Sequence, residues 1–182
     1  SNGSRFGVNI NYVEQSSPRG LPEAFILGEK FIGKDKVALI LGDNFFYGQS
    51  LTSKLKNCIK LNSGCKILLH SVKQPELYGV AVVKNNNKIL SIKEKPKKSK
   101  SNLAVTGLYF FDNEVVKFSK TLKPSKRNEL EIVDLLNKYR KKNKLSAEFL
   151  GRGGAWLDTG SIDDFYNTSS FVYALENRQG LK

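Results

Sequence analysis

"VALILGDNFFYG", residues 37–48, is the stretch on which the reading of the fold turns. A continuous apolar run ends abruptly in Gly-Asp-Asn. Such a run suits a short strand covered on both faces. The carboxyl end of a strand is also where doubly wound folds bind their ligands. Asp43 therefore has two readings at this point: a cap for a helix that follows, or a ligand at the rim of a site.

Working outward, the periodicity alternates. "VNINYV" (8–13) has the alternation of a half-buried strand, and "PEAFILGEKFI" (22–32) spaces its apolar residues as a helix does, with Pro22 near its start. "LTSKLKNCIKL" (51–61) is helical and "CKILLHSV" (65–72) reads as a buried strand. This β-α-β-α-β order predicts a parallel sheet with right-handed crossovers. Further on, "YGVAVVKNNNKILSIKEKP" (78–96) reads as two strands joined by an Asn-rich turn. "LAVTGLYFFD" (103–112) is another strand, "NELEIVDLLNKYRKKN" (128–143) an amphipathic helix, and "KLSAEFL" and "GAWLDTG" are strands. "SIDDFYNTSSFVYALENR" (161–178) closes the chain as a helix, with Ser161 as its N-cap. The expected class is α/β, a Rossmann-like fold with a mixed, mostly parallel sheet flanked by helices.

Composition narrows the function classes. The chain has 182 residues, 40% hydrophobic and 26% charged, as in soluble globular proteins. No apolar run approaches the roughly 20 residues that span a bilayer, so no membrane role is expected. Thirty Lys and Arg against 17 Asp and Glu give a net charge of +13. The lysines are dispersed except for "KEKPKKSK" (93–100), and no nucleic-acid-binding signature accompanies them. A lysine-rich solvated surface, plus a small polyanionic substrate, accounts for the charge without polymeric nucleic acid. Cys58, Cys65 and the one histidine, His70, make neither a disulfide framework nor a zinc cage, which points to a reducing cytoplasm.

Several residues can carry chemistry. Asp158, in "GGAWLDTGS", is either a turn aspartate or the second carboxylate of a site with Asp43. Mg²⁺ bound with substrate phosphates needs only one or two protein carboxylates. "EQSSPRGLPEA" (14–24) is a loop in which Gly20 admits close backbone approach and Gln15 offers an amide. It reads equally as a plain turn before a helix. Glu94 and Lys95 form either a strand-end site or a surface ion pair. His70 reads as structural, and no nucleophilic triad is present.

Taken together, "QSSPRGLPEAF", "LILGDNFFYG", "YGVAVV", "IKEKP", "AVTGLYFFD", "RNELEIVDLLNKY", "GRGGAWLDTG" and "ENRQGLK" resemble the glucose-1-phosphate thymidylyltransferases, in order and spacing, over essentially the whole chain. The resemblance implies Mg²⁺-dependent synthesis of dTDP-glucose and pyrophosphate from dTTP and glucose-1-phosphate, for the dTDP-rhamnose pathway, by a cytoplasmic homo-oligomer. It assigns Mg²⁺ to Asp43 and Asp158, the thymine edge to Gln15 and Gly20, and the glucose pocket to Tyr78, Gly79, Glu94, Lys95, Val105 and Trp156. Lys95 also lies near the sugar phosphate and Arg127 near the phosphates, so Asp43, Asp158, Lys95 and Arg127 form the implied catalytic set. Gln49 stands where relatives carry a histidine near a regulatory nucleotide site. The family's Gly-rich phosphate loop, G-x-G-T-R-L-x-P, would lie upstream of residue 1, and its helical extension beyond Lys182. Residues 1–182 are thus expected to be a partial nucleotidyltransferase domain, inactive alone. A uridylyltransferase, another sugar-phosphate nucleotidyltransferase, or a non-catalytic assembly fragment are the alternatives.

Overall fold

The computed structural model describes residues 2–84 and 87–180. Its spine is β6 (Leu103–Phe111), apolar along almost its whole length and buried from Ala104 onward. Its side chains alternate between two cores, as a strand period of two requires. Val105, Tyr109 and Phe111 enter one core, while Ala104, Leu108 and Phe110 enter the other. The first core is closed by α1 (Glu23–Leu27), α4 (Glu114–Lys120) and α5 (Ile132–Lys141) through Phe25, Phe118 and Tyr139. The second is closed by α3 (Leu51–Ile59), through Cys58 and Leu55. The two cysteines therefore lie in separate cores, both as buried free thiols.

On one side of β6 lies β3 (Cys65–Ser71), followed by β7 (Leu145–Phe149). The other side of β6 is divided. β1 (Val37–Ile40) pairs with Leu108 to Phe111, and β4 (Gly79–Val83) pairs with Leu103 and Ala104. Val105, Thr106 and Gly107 fall between them. β5 (Ile89–Glu94) completes this wing beside β4. Its outer carbonyls are not left open: Arg140 donates to the Leu90 carbonyl at 3.0 Å and Asn137 to that of Ile92 at 3.2 Å. The Asn-rich turn between β4 and β5 falls largely on Asn85 and Asn86, outside the described residues.

The mixed sheet with flanking helices is as expected, but its parallel share is smaller. Among the described pairs only β3 and β7 run parallel. β1 and β3 do run in one direction, as the crossover requires, yet β6 lies antiparallel between them. A run buried on both faces reads the same whether its neighbours are parallel or antiparallel. β1 itself is covered on one face only, with Ile40 59% exposed.

Residues 8–13 form no strand. Val8 and Ile10 donate their N–H groups back to the Gly3 and Asn2 carbonyls, and Tyr12 and Val13 are exposed. An alternating segment becomes a strand only where a neighbouring edge takes its backbone groups. The helix expected over 22–32 is broken at Gly28 into α1 and α2 (Glu29–Ile32). Besides two single-turn 3-10 helices, Ser4–Phe6 and Pro75–Leu77, the sequence does not predict α4 or β2 (Asn44–Tyr47), which pairs antiparallel with β8 (Ala155–Asp158). α6 (Ile162–Gln179) follows β8, capped as expected by Ser161, whose hydroxyl accepts the Asp164 N–H at 3.1 Å. Phe171 of α6 packs edge-on against Phe45 and Tyr47.

Candidate active site at the split of the sheet

The gap between β1 and β4 along β6 is where the candidate residues gather. Gly79, the first residue of β4, lies beside Val105: a Cβ at Gly79 would sit 3.1 Å from Val133, 3.4 Å from the Glu94 carboxylate and 3.9 Å from Val105. The missing side chain keeps the Glu94 carboxylate accessible. Tyr78, Gly79, Glu94, Lys95, Val105, Trp156 and Asp158 line one cavity of about 220 Å³. Its neighbour, of about 430 Å³, is lined by Gln15, Gly20, Leu21, Glu94, Lys95, Arg127 and Glu131 among others. Leu21, Glu94, Lys95 and Ile132 belong to both, so the two are lobes of one cleft.

Asp43 does not cap a helix, because β2 begins at the next residue. Register pairs Asn44 with Asp158 across β2 and β8. The Thr159 N–H and hydroxyl both donate to the Asp43 carbonyl at 2.9 Å, which ties the two aspartate-bearing segments together. Asp158 does have the turn role too, accepting the Gly160 N–H at 3.1 Å. Its carboxyl is raised above its ordinary value, first by burial and then by the negative charge of Asp43. A cation between the two would relieve that repulsion. Among the described residues no group of three or more metal-ligating side chains exists. Two carboxylates suit Mg²⁺ held jointly with substrate phosphates, so the residues present fit that ion.

Asn44 was not singled out from the sequence. Its amide oxygen accepts the Gly107 N–H at 3.0 Å and the Trp156 indole N–H at 2.6 Å, and its nitrogen donates to the Asp43 carboxylate at 2.8 Å. Gly107 must be glycine here, since a Cβ would lie 2.4 Å from that oxygen. A glycine inside an otherwise bulky strand, "AVTGLYFF", was the available signal of a close approach.

Lys95 has φ of 39°, an uncommon conformation for a lysine. Its N–H donates to the Tyr78 carbonyl at 3.0 Å, and the Tyr78 ring packs against Trp156 at 5.0 Å. Glu94 is raised above its ordinary value by burial and by Glu131, with Arg127 and Lys95 opposing. Burial also acts upward on Glu131, but hydrogen bonds from Arg127 and Ser125 outweigh it and hold that group low. Arg127 is engaged: it bonds Glu131 at 3.1 and 2.7 Å and approaches Glu94 at 3.9 Å. Gln15 donates from its amide nitrogen to Glu23. Gly20, at φ of 96°, lies against Leu130, where a Cβ would come within 2.1 Å of the carbonyl oxygen. His70 lines a different cavity with Gly151, Arg152 and Gly153, and its ring lies edge-on to Trp156 at 6.4 Å.

The family model described as nucleotidyl transferase matches residues 1–174, and the chain belongs to that family. The chain is 51% identical over 179 residues to the glucose-1-phosphate thymidylyltransferase of Neisseria meningitidis, covering 98% of this chain and 62% of that protein. It is 46% identical over 180 residues to the protein of the same name from Mycolicibacterium smegmatis, covering 99% and 62%. The chain thus spans about three fifths of the length of these curated relatives. Among solved structures, UDP-glucose pyrophosphorylase complexed with UDP-glucose superposes with a TM-score of 0.79 at 29% identity, over 90% of this chain and 65% of that one. A Bacillus anthracis protein solved in complex with a sucrose gives a TM-score of 0.83 at 39% identity, over 93% and 68%.

Proposed function

We propose that this chain carries the sugar-phosphate and metal side of a glucose-1-phosphate thymidylyltransferase. The observation behind this is that Asp158 lines a cavity with Glu94, Lys95 and Trp156, while Thr159 ties the Asp43 backbone beside it and the Asp43 charge is felt at the Asp158 carboxyl. In the reaction, a phosphate oxygen of the sugar-1-phosphate attacks the α-phosphorus of dTTP. The bond from that phosphorus to the bridging oxygen breaks, and pyrophosphate leaves with its electron pair. The nucleophile is already an anion at neutral pH, so no general base is needed, and positioning with charge neutralisation carries the catalysis. Bound between Asp43 and Asp158, Mg²⁺ would neutralise phosphate charge and orient the nucleotide.

The other roles fall to this chain's own side chains. Lys95 neutralises the sugar phosphate. Glu94 accepts hydrogen bonds from sugar hydroxyls, and Trp156 walls the ring. With the Gln15 nitrogen held by Glu23, its amide oxygen is left to accept the pyrimidine N3–H. Arg127 reaches a phosphate by exchanging Glu131 for it. The neighbouring lobe, with Gln15 and Gly20, takes the base. The homo-oligomer implied by the resemblance would find an exposed apolar stripe on α6, at Ile162, Phe165, Tyr166 and Tyr173.

Thymine and uracil share the N3–H that Gln15 would read, and one of the similar structures holds UDP-glucose. Uridylyl transfer is therefore the second reading. Pyrophosphate release from the native protein, with glucose-1-phosphate and dTTP, UTP, ATP or CTP in parallel, tests both. We expect dTTP first and UTP second. A preference for ATP or CTP overturns the assignment.

A further inference from the structure

We propose that Asn44 is a positioning residue that fixes the Asp43 carboxylate for its cation, using the buried β6–β8 frame as the reference. This inference rests on the reading of Asp43 and Asp158 as the metal pair. The amide's orientation follows from its neighbours. Two N–H groups, from Gly107 and Trp156, converge on the Asn44 oxygen. Both can only donate, so that end of the amide must be the acceptor, and the NH₂ end is turned toward Asp43. Gly107 is fully inside β6 and Trp156 is only 9% exposed, so the anchor is rigid. Asp43 itself is exposed and sits on the short link between β1 and β2. Its side chain would otherwise sample several rotamers, and ordering them would have to accompany cation binding.

The donated bond occupies Oδ1 of Asp43 and leaves Oδ2 for a cation. The same Asn44 oxygen holds the indole that walls the sugar lobe. One side chain thus sets both the metal carboxylate and the sugar wall from a single buried point. Partners that orient a metal-binding carboxylate typically change cation affinity by about 10–100-fold when removed.

The test replaces the donor while keeping an acceptor. Threonine suits a strand and its hydroxyl can still accept from Gly107 or Trp156, but it cannot span to Asp43. Uptake of Mn²⁺ with dTTP, read from the electron paramagnetic resonance of free Mn²⁺, is compared between wild type and Asn44→Thr. Thermal unfolding and emission of Trp156, the one tryptophan, report whether the frame survives. Expected is a loss of about tenfold in Mn²⁺ affinity with a folded frame. Wild-type uptake by a folded Asn44→Thr overturns the positioning role and leaves the metal reading standing. A wild-type protein that takes up no Mn²⁺ overturns both. If Asn44→Thr does not fold, the wild type decides through the Asn44 side-chain NH₂ resonances. Their displacement by Mg²⁺ with dTTP supports the role, and their constancy overturns it.

Discussion

The apolar runs of β1 and β6 each lead into an aspartate, and the surroundings of the two differ. Asp112, after "LYFF", is buried and accepts the Tyr139 hydroxyl at 2.8 Å, the Glu114 N–H at 3.1 Å and the Gly64 N–H. Asp43, after "LILG", is exposed, and among the described bonds its carboxylate accepts one side-chain donor, from Asn44. The pattern alone does not separate them; the number of surrounding donors does. In the full-length parent, Asp43→Asn or Asp158→Asn should lower kcat by about a hundredfold or more while leaving the unfolding midpoint near wild type, because the charge they are proposed to organise matters most in the transition state. Near-normal turnover in both would reduce them to turn residues. Glu94 gives a test independent of the metal. Its carboxyl is raised above 4.5 chiefly by burial, so the fold disfavours the ionised form. The group's contribution to stability is then most favourable below pH 4.5 and declines as pH rises through the raised value. Denaturant titrations should show wild type losing ground to Glu94→Gln across that window and the difference levelling off above it. A difference that does not vary with pH would refute the assignment.

At the scale of elements, most helices and most strands were legible because their apolar periodicity is strong, while α4 and the break at Gly28 were not. The errors among the strands came from partners that periodicity does not contain. "VNINYV" has a strand's alternation without a strand's neighbour, and "NFFY" pairs with a segment more than a hundred residues away. The pairing of β2 with β8 is also what brings Asp43 and Asp158 together, so the site's central geometry was invisible locally. Glu94, Lys95 and Gln15 could be singled out as candidates, whereas Asn44 could not, since its role lies wholly in its three partners. The β5 edge offers another element-level test. Asn137 and Arg140 occupy the outward carbonyls of Leu90 and Ile92. Replacing both with alanine should leave an unprotected edge beside the exposed Leu90, and self-association should then rise with concentration. Light scattering reads this directly, and a monodisperse double variant would show that the edge is guarded otherwise.

For the whole molecule, a net charge of +13 implies self-repulsion that salt relieves. The unfolding midpoint should therefore rise between low salt and about 0.5 M salt, where the screening length falls to a few ångströms. The same charge must be separated from the work proposed for Lys95, which lines the cleft while Lys97, Lys98 and Lys100 do not. In the full-length parent, Lys95→Ala should impair glucose-1-phosphate use far more than triple replacement of the other three. Equal effects, each abolished by salt, would mean a diffuse field rather than a placed ammonium.

The divided edge of β6 has one more consequence. β1 leads to Asp43, proposed as a metal carboxylate, and β4 opens onto the cavity proposed for the sugar; both are measured off the same strand with three residues between them. β6 is in effect a ruler, and the distance between the two halves of the chemistry is written in its covalent length. One residue inserted between Ala104 and Leu108 would slide one half past the other by about 3.4 Å and reverse which side chains face each core. Point changes around the cleft can be absorbed one contact at a time; a change in the length of this strand cannot.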